Sequence, residues 1–373
     1  LRRLVALAAL VALGHVSAAA ASPPPTPAAS AWLVENATTG EVLDSHDADA
    51  HVAIASITKL MTVLVALDHL KLTDVVQVDP RAAAVGQESI ELDPGQSLTV
   101  ADLLRGTLIQ SANDAADALA LAVAPSFPAF ADLMNAKAAQ LGLRDSHFVR
   151  PDGLDAPGEY SSAHDVTVLA QDAMKNAFVR RTVAEESATL ADGETVHTWD
   201  DLLGVLPGIL GVKTGHTDDA GWCQVSAQDD EGNVMYVTIL GSPSEAQRDA
   251  DLEAMLGWAS DQYRLVDAVS PSRDYATVDL PYGRGSLALV AASPLHAFVR
   301  LGQDLVERVV APTATVLPVQ RGAVLGQVEV FDGTRLVGRR SLVASRSVGA
   351  PGLAGRVGWY ARRSVRDAIH LFR

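Results

Sequence analysis

Residues 52–70 read VAIASITKLMTVLVALDHL, an apolar run with a serine and a lysine three positions apart at its head. The chain carries five lysines against twenty-four arginines, so Lys59 departs from its general choice of cation. A buried cation is costly unless it is paired or gives up its proton, and lysine, unlike arginine, deprotonates readily when desolvated. If the segment is helical from Ser56 onward, positions i and i+3 share a face, which brings the Ser56 hydroxyl and the Lys59 amine within reach of each other. The serine then stands at a helix N-terminus, where free N–H groups and the macrodipole favour developing negative charge. That is the arrangement of an activated nucleophile. The same residues also suit a plain N-cap serine beside an ion-paired lysine. Twenty-five serines and five lysines supply about 0.3 Ser-x-x-Lys spacings by chance, so the tetrad needs partners elsewhere in the chain.

Upstream, AWLVENATTGEVLDSHDADAH (31–51) holds two short apolar runs about NATTG, a hairpin signature. Downstream, residues 99–141 read as helices: Thr99 and Asp102 form an N-terminal capping pattern, and ADLLRGTLIQSANDAADALALAV keeps helical spacing with a break near Ser111. From 222, WCQVSAQDDEGNVMYVTILG alternates in two runs around DDEGN, a second hairpin, and residues 244–264 return to helix. Strands at both ends with helices between and after predict an α+β domain over 31–265, its sheet assembled from distant parts of the chain. Beyond 266 the texture changes to short β-rich runs, among them YATVDL, LALVAA and GQVEVFDGTRLVGRRSLVA with a DGT turn. These predict a small separate β domain over 266–350.

The N-terminus, LRRLVALAALVALGHVSAAAA, has two arginines, an apolar core near ten residues and then small residues around Ala18–Ala21, the pattern of a signal peptide over 1–21. The following SPPPTPAAS (22–30) reads as an extended Pro-rich linker. The one cysteine, Cys223, has no partner for an internal disulfide and reads as a small buried hydrophobe, so an exported chain would be held by its core alone. Hydrophobic residues at 48% and charged residues at 20% describe an ordinary globular protein, and a formal charge of -16 argues against a general nucleic-acid binder. The tail departs from that balance, since Gly352–Arg373 holds five arginines and one aspartate. At 100° per residue, Val357, Tyr360, Ala361, Val365, Ala368, Ile369, Leu371 and Phe372 gather on one face, and Arg362, Arg363, Arg366, His370 and Arg373 on the other, with Trp359 on the polar side. Residues 351–373 therefore predict a basic amphipathic helix that anchors at a membrane surface, the alternative being a helix docked on the protein's own β domain.

A serine nucleophile needs a second proton-handling group, a feature that recognises the substrate, and N–H donors for the oxyanion. SAND, Ser111–Asp114, sits at the break between helical segments, where side chains can point into a cleft. GVKTGHTDDAGWC (211–223) places Lys213, Thr214 and Gly215 in succession. Gly215 permits close approach of a substrate backbone, and the Lys213 cation with the Thr214 hydroxyl suits a carboxylate. The segment DSHDADAH offers Asp44, His46, Asp47, Asp49 and His51 but no strict ligand spacing, so no metal is expected.

The ordered set of Ser56 and Lys59, then Ser111 and Asn113, then Lys213, Thr214 and Gly215 resembles the penicillin-recognising serine enzymes. The similarity is closer to the low-molecular-mass penicillin-binding proteins that act as D-alanyl-D-alanine carboxypeptidases, and DPGQSLTVADLL, MNAKAAQLGL, HFVRPDGLDAPGEYSSAHDV and PVQRGAVLGQVEVFDGTRLVG extend it over about 31–373. The resemblance implies a transpeptidase fold shared with serine β-lactamases, an antiparallel sheet with flanking helices and a helical subdomain, followed by a C-terminal β domain. It implies Ser56 as nucleophile, Lys59 as its base and Ser111 as proton relay to the leaving D-alanine. Asn113 would hold the substrate amide, Lys213 and Thr214 the terminal carboxylate, and the N–H groups of Ser56 and His216 the oxyanion. It also implies peptidoglycan stem peptides as substrate, β-lactams as covalent inhibitors, no cofactor, and a place at the extracytoplasmic face of a bacterial cytoplasmic membrane. Two departures stand out: Arg150 and Asp152 flank Pro151 where the family usually has asparagine before the proline, and the asparagines expected near HTWDDLLG are absent. Both touch the substrate loops and hence specificity. Glu159 could suggest a deacylating glutamate, but its surroundings resemble the carboxypeptidases. A D,D-endopeptidase or serine β-lactamase on the same scaffold, and a non-catalytic wall-binding or β-lactam-sensing module, are the competing functions.

Overall fold

Both expected hairpins form. In the computed structural model, which describes residues 6–12 and 22–361, Ala31–Asn36 pairs antiparallel with Glu41–His46, and Gly221–Asp230 with Asn233–Ser242. The second hairpin closes through Glu231 and Gly232, both at positive φ (52° and 95°), as a two-residue turn matched to strand twist requires. With Ile209–Thr217 these strands make one antiparallel sheet, in the order Glu41–His46, Ala31–Asn36, Asn233–Ser242, Gly221–Asp230, Ile209–Thr217. Its central seam joins residues 197 apart in sequence, as in the buried hydrogen bond from Asn36 Nδ2 to Asn233 Oδ1 (2.9 Å).

Pleating sends Tyr236, Thr238 and Leu240 to one face and Met235, Val237 and Ile239 to the other, and all six are buried. On the first face packs the Ala163–Ala173 helix, where Thr167 and Thr238 share a hydroxyl–hydroxyl bond (2.7 Å); the Glu245–Ser260 helix also packs on this strand. The Lys59–His69 helix buries all of its first eight residues, which is why its sequence is apolar all round instead of striped. Around it stand Val100–Leu108, Asn113–Val123, Phe127–Leu141 and Ala163–Ala173. The expected cap is present: the Thr99 hydroxyl accepts from Asp102 N (3.1 Å). The Pro-rich segment is tied down along the Glu245–Ser260 helix, since Trp258 Nε1 donates to Ser22 O (2.9 Å) and Ala28 N to an Asp251 carboxylate oxygen (2.9 Å). An extended segment with no bonds of its own finds them there.

The chain divides into two compact units, Ser22–Asp261 and one formed from Gln262 onward with the N-terminal segment, so the boundary falls four residues before the expected 265. The helix expected to reach 264 ends at Ser260, because the alternating, β-branched stretch Tyr263–Val269 pairs instead with Leu295–Arg300. The second unit carries a six-stranded sheet in the order Ala6–Ala12, Leu305–Pro312, Val324–Asp332, Arg335–Ala344, Ser286–Ala291, Asp274–Asp279, with Val278, Leu289, Val328, Val330 and Leu342 in its core. Residues 6–12, the apolar centre of the expected leader, run antiparallel along Leu305–Pro312 and take up its free edge. Residues 353–361 are helical, and Leu353, Val357 and Tyr360 on this helix are 82%, 66% and 57% exposed. Trp359, expected on the polar side, meets Tyr282 edge-on at 5.7 Å. The rest of the expected anchor, 362–373, lies outside the described residues.

Candidate active site

Ser56 lies in a single 3-10 turn, Ala55–Thr58, that leads into the Lys59–His69 helix. The chain enters this turn with Ala55 in the left-handed region (φ 50°), a conformation that costs about 1–3 kcal/mol for a side chain with a Cβ. Two remote glycines hold it there. A Cβ on Gly153 (φ 77°) would stand 2.3 Å from the Ala55 carbonyl oxygen, and one on Gly215 would stand 3.0 Å from Ile54 O and from Ser56 N. Only bare backbone can approach the nucleophile's turn so closely from both sides.

Lys59 is fully buried. Its Nζ donates to Ser56 Oγ (2.7 Å), to Asn113 Oδ1 (2.7 Å) and to the Asp152 main-chain oxygen (2.5 Å). Desolvation pushes the amine down to about 8, against the pull of Asp152, Asp117, Glu159 and Glu88. The geometry suits a base. A neutral amine has two hydrogens, which Asn113 Oδ1 and Asp152 O can take, leaving the lone pair aimed at the serine hydroxyl. Asn113 is itself fixed, donating from Nδ2 to Gly86 O (3.0 Å).

Ser111 marks the expected break between Val100–Leu108 and Asn113–Val123, and its φ of 65° turns it out of both helices. Lys213 Nζ donates to Ser111 Oγ (2.8 Å) and to Thr214 O (2.9 Å). Burial holds that amine well below its ordinary range, and the Lys59 charge lowers it further. The two serines and two lysines thus form two linked hydroxyl–amine pairs, with Thr214 and Gly215 next along the same strand. His216, next on the strand, is exposed, its ring tilted against that of Trp222 with centroids 4.1 Å apart. All eight residues singled out from the sequence lie on three stretches of chain: the 3-10 turn with the helix it leads into, the Ser111 break with the start of the helix after it, and the Ile209–Thr217 strand.

The structure adds residues that sequence reasoning passed over. Asp152, expected in a substrate loop, is fully buried and its carbonyl touches the lysine. Its carboxylate takes a two-pronged bond from Arg150 (Nε 2.9 Å, Nη2 2.6 Å), and Thr62 Oγ1 donates to Pro151 O (2.6 Å). The Arg-Pro-Asp-Gly departure is therefore in direct contact with the base. Glu159, which has no role in the expected site, braces the same turn: Oε1 accepts from Thr58 Oγ1 (2.9 Å) and Oε2 from Arg150 N (3.0 Å), while burial pushes its carboxyl up to about 7. Both oxygens are engaged away from Ser56. Arg248, whose side chain is almost wholly buried, stands over Trp222 (5.6 Å) and adds a cation behind the Lys213–Gly215 strand. The signals available were a buried-type arginine at a helix start and a charge pair across a Pro-Asp-Gly turn, neither of which names its partner.

Within DSHDADAH, Asp44 accepts from Trp32 Nε1 (2.7 Å), His46 stacks on Trp32, and His51 pairs with Asp145 (3.0 Å). Cys223 is buried, and burial pushes its thiol up to about 12.

Residues 17–243 match the family model described as peptidase S11, D-alanyl-D-alanine carboxypeptidase. The chain is 31% identical over 313 residues to the D-alanyl-D-alanine carboxypeptidase DacF of Bacillus subtilis, covering 80% of each. To DacD of Salmonella typhimurium it is 30% identical over 393 residues, covering 96% of this chain and 98% of the other. Among solved structures it is similar to a peptidoglycan synthesis regulatory factor (PBP3) from Streptococcus pneumoniae, with a TM-score of 0.68 and 26% identity over 87% of this chain and 100% of that one.

Proposed function

The chain belongs to the D-alanyl-D-alanine carboxypeptidase family, and on that premise we propose that Ser56 attacks the carbonyl carbon of the penultimate D-alanine of a peptidoglycan stem peptide. The protein is a serine peptidase that removes the terminal D-alanine through an acyl-enzyme, and penicillin acylates the same serine. Neutral Lys59 takes the Ser56 proton as the C–O bond forms, and the oxyanion rests on the N–H groups of Ser56 and His216. The proton passes through Ser111 to the departing amine, the C–N bond breaks, and D-alanine leaves. Water then attacks the acyl carbon as Lys59 takes its proton, the bond from that carbon to Ser56 Oγ breaks, Lys59 returns the proton to Oγ, and the shortened stem peptide leaves with a free carboxylate. Lys213 and Thr214 bind the terminal carboxylate, with the Arg248 cation behind them, and Asn113 orients the substrate amide. The observation that carries this reading is the fully buried Lys59 bonded at once to Ser56, Asn113 and Asp152 O.

Labelled penicillin followed by peptide mapping is expected to place the label on Ser56, and mass spectrometry is expected to find D-alanine released from a pentapeptide-bearing muropeptide. Label on any other residue, or none, overturns the mechanism. The same reading extends to location. Residues 1–21 serve as an export leader, whose removal would free the Leu305–Pro312 edge that residues 6–12 cover before cleavage, and the C-terminal helix lies on the outer face of the cytoplasmic membrane with Leu353, Val357 and Tyr360 toward lipid; their exposure on this helix supports it.

A further inference from the structure

Ser111 owes its place to an unfavourable backbone. Its φ of 65° lies in the left-handed region, which a residue with a Cβ rarely adopts and keeps only where its surroundings impose it. The backbone angles of Ser111 are set by the two peptide planes that meet there, and both planes are tied. The plane after it is held by Ala112 N, which donates to Gly106 O (3.0 Å). The plane before it is held through the Gln110 carbonyl, which accepts from Trp199 Nε1 (3.0 Å), while the Gln110 side chain donates from Nε2 to Ser89 O (2.9 Å). Trp199 belongs to HTWDDLLG, the stretch where the expected asparagines are absent, and it lies 89 residues from Gln110 along the chain. Its own backbone is braced on both sides: Thr198 N donates to Glu186 O (2.9 Å), Asp200 N to Thr198 Oγ1 (3.1 Å), and Leu202 N to Oδ1 of the buried Asp200 (3.1 Å). The indole is 48% exposed, so it fills no core, and its single donor is spent on the carbonyl that precedes Ser111.

We propose that Trp199, together with Gln110, is a positioning residue for Ser111: the two side chains lock the Gln110–Ser111 peptide so that the Ser111 hydroxyl stays on Lys213 Nζ (2.8 Å) and faces the departing amine. They act through Ser111 on one step, the breaking of the C–N bond, in which the amine nitrogen gains a proton as it leaves. An ester of the same shape, with D-lactate in place of the terminal D-alanine, needs that proton far less, because an alkoxide departs more readily than an amide anion. Loss of the lock therefore slows the peptide more than the ester.

This inference rests on Ser111 as the proton relay, which Ser111→Ala tests by itself. The measurement is kcat/KM on a D-alanyl-D-alanine peptide and on its D-lactate ester, with folding followed by thermal melting. Trp199→Phe keeps a ring and removes the N–H; it is expected to lower kcat/KM about three- to tenfold on the peptide, the loss of one hydrogen bond, and less than about twofold on the ester. Gln110→Ala, which removes the other tie, is expected to show the same bias and carries the test should Trp199→Phe not fold. In a Ser111→Ala background, Trp199→Phe is expected to cost nothing further, because both changes act on one group. Equal losses on peptide and ester, as a loosened cleft or a direct contact with substrate would give, overturn the proposal, as does no loss at all or a full further loss in the Ser111→Ala background. If Ser111→Ala itself spares the ester no more than the peptide, the relay falls and the proposal with it. If Ser111→Ala spares the ester and Trp199→Phe does not, the proposal alone falls.

Discussion

Lysine and arginine carry the same charge in water, and the difference between them at position 59 is the capacity to lose a proton in a dry site. Lys59→Arg is therefore expected to abolish acylation by labelled penicillin while the fold, followed by circular dichroism, is kept; retention of more than a few per cent of the wild-type rate would remove Lys59 from the role of base. Because the amine acts in its neutral form and burial holds it near 8, the wild-type acylation rate should fall as pH drops below that value. The pairing of Ser56 with Lys59 was legible because it is local, three residues on one helical turn. Asp152 was not, since its contribution is a main-chain oxygen 93 residues away, and a carbonyl has no side-chain signature.

At the scale of elements, the nucleophile's turn is held in a strained shape by backbone from the Asp152–Gly153 loop and from the Ile209–Thr217 strand. Gly153→Ala would place a side chain at a φ of 77° and put its methyl 2.3 Å from Ala55 O, so the strain falls on position 153 and the clash on the residue before Ser56. We expect a loss of roughly 2–4 kcal/mol in stability by chemical denaturation and at least a tenfold loss of acylation rate in the protein that remains folded. A variant with wild-type acylation would show that the turn does not depend on that approach. The hairpins and the Thr99 cap were readable because turn glycines and capping threonines act on their immediate neighbours. The Ser260 helix end was misjudged because Tyr263–Val269 becomes a strand only when Leu295–Arg300 is beside it.

At the scale of the whole molecule, an acidic chain ends in a basic segment whose described part leaves leucine, valine and tyrosine in solvent. Burying a leucine or valine side chain in lipid contributes about 1.5–3 kcal/mol, and anionic head groups attract the arginines. Deletion of residues 352–373 is expected to leave penicillin acylation intact and to release the mature enzyme from anionic liposomes in a co-sedimentation assay. Equal sedimentation with and without the segment, or loss of folding on truncation, favours a helix docked on its own β domain.

The sequence by itself determined the chemistry and the class of fold: a serine and lysine on one turn, Ser-x-Asn at a helix break, Lys-Thr-Gly entering a strand, and hairpins at both ends of the catalytic unit. These are short-range features, decided by backbone propensity and side-chain identity within a few residues. Tertiary structure decided what lies around Lys59. Asn113 and Asp152 O reach it from separate elements, Arg150 and Glu159 brace the loop and turn beside it, and the bare backbones of Gly153 and Gly215 close on the turn that carries Ser56. Burial, and with it the proton affinity of the base, belongs to the packed assembly, because desolvation exists only once distant segments have excluded water together.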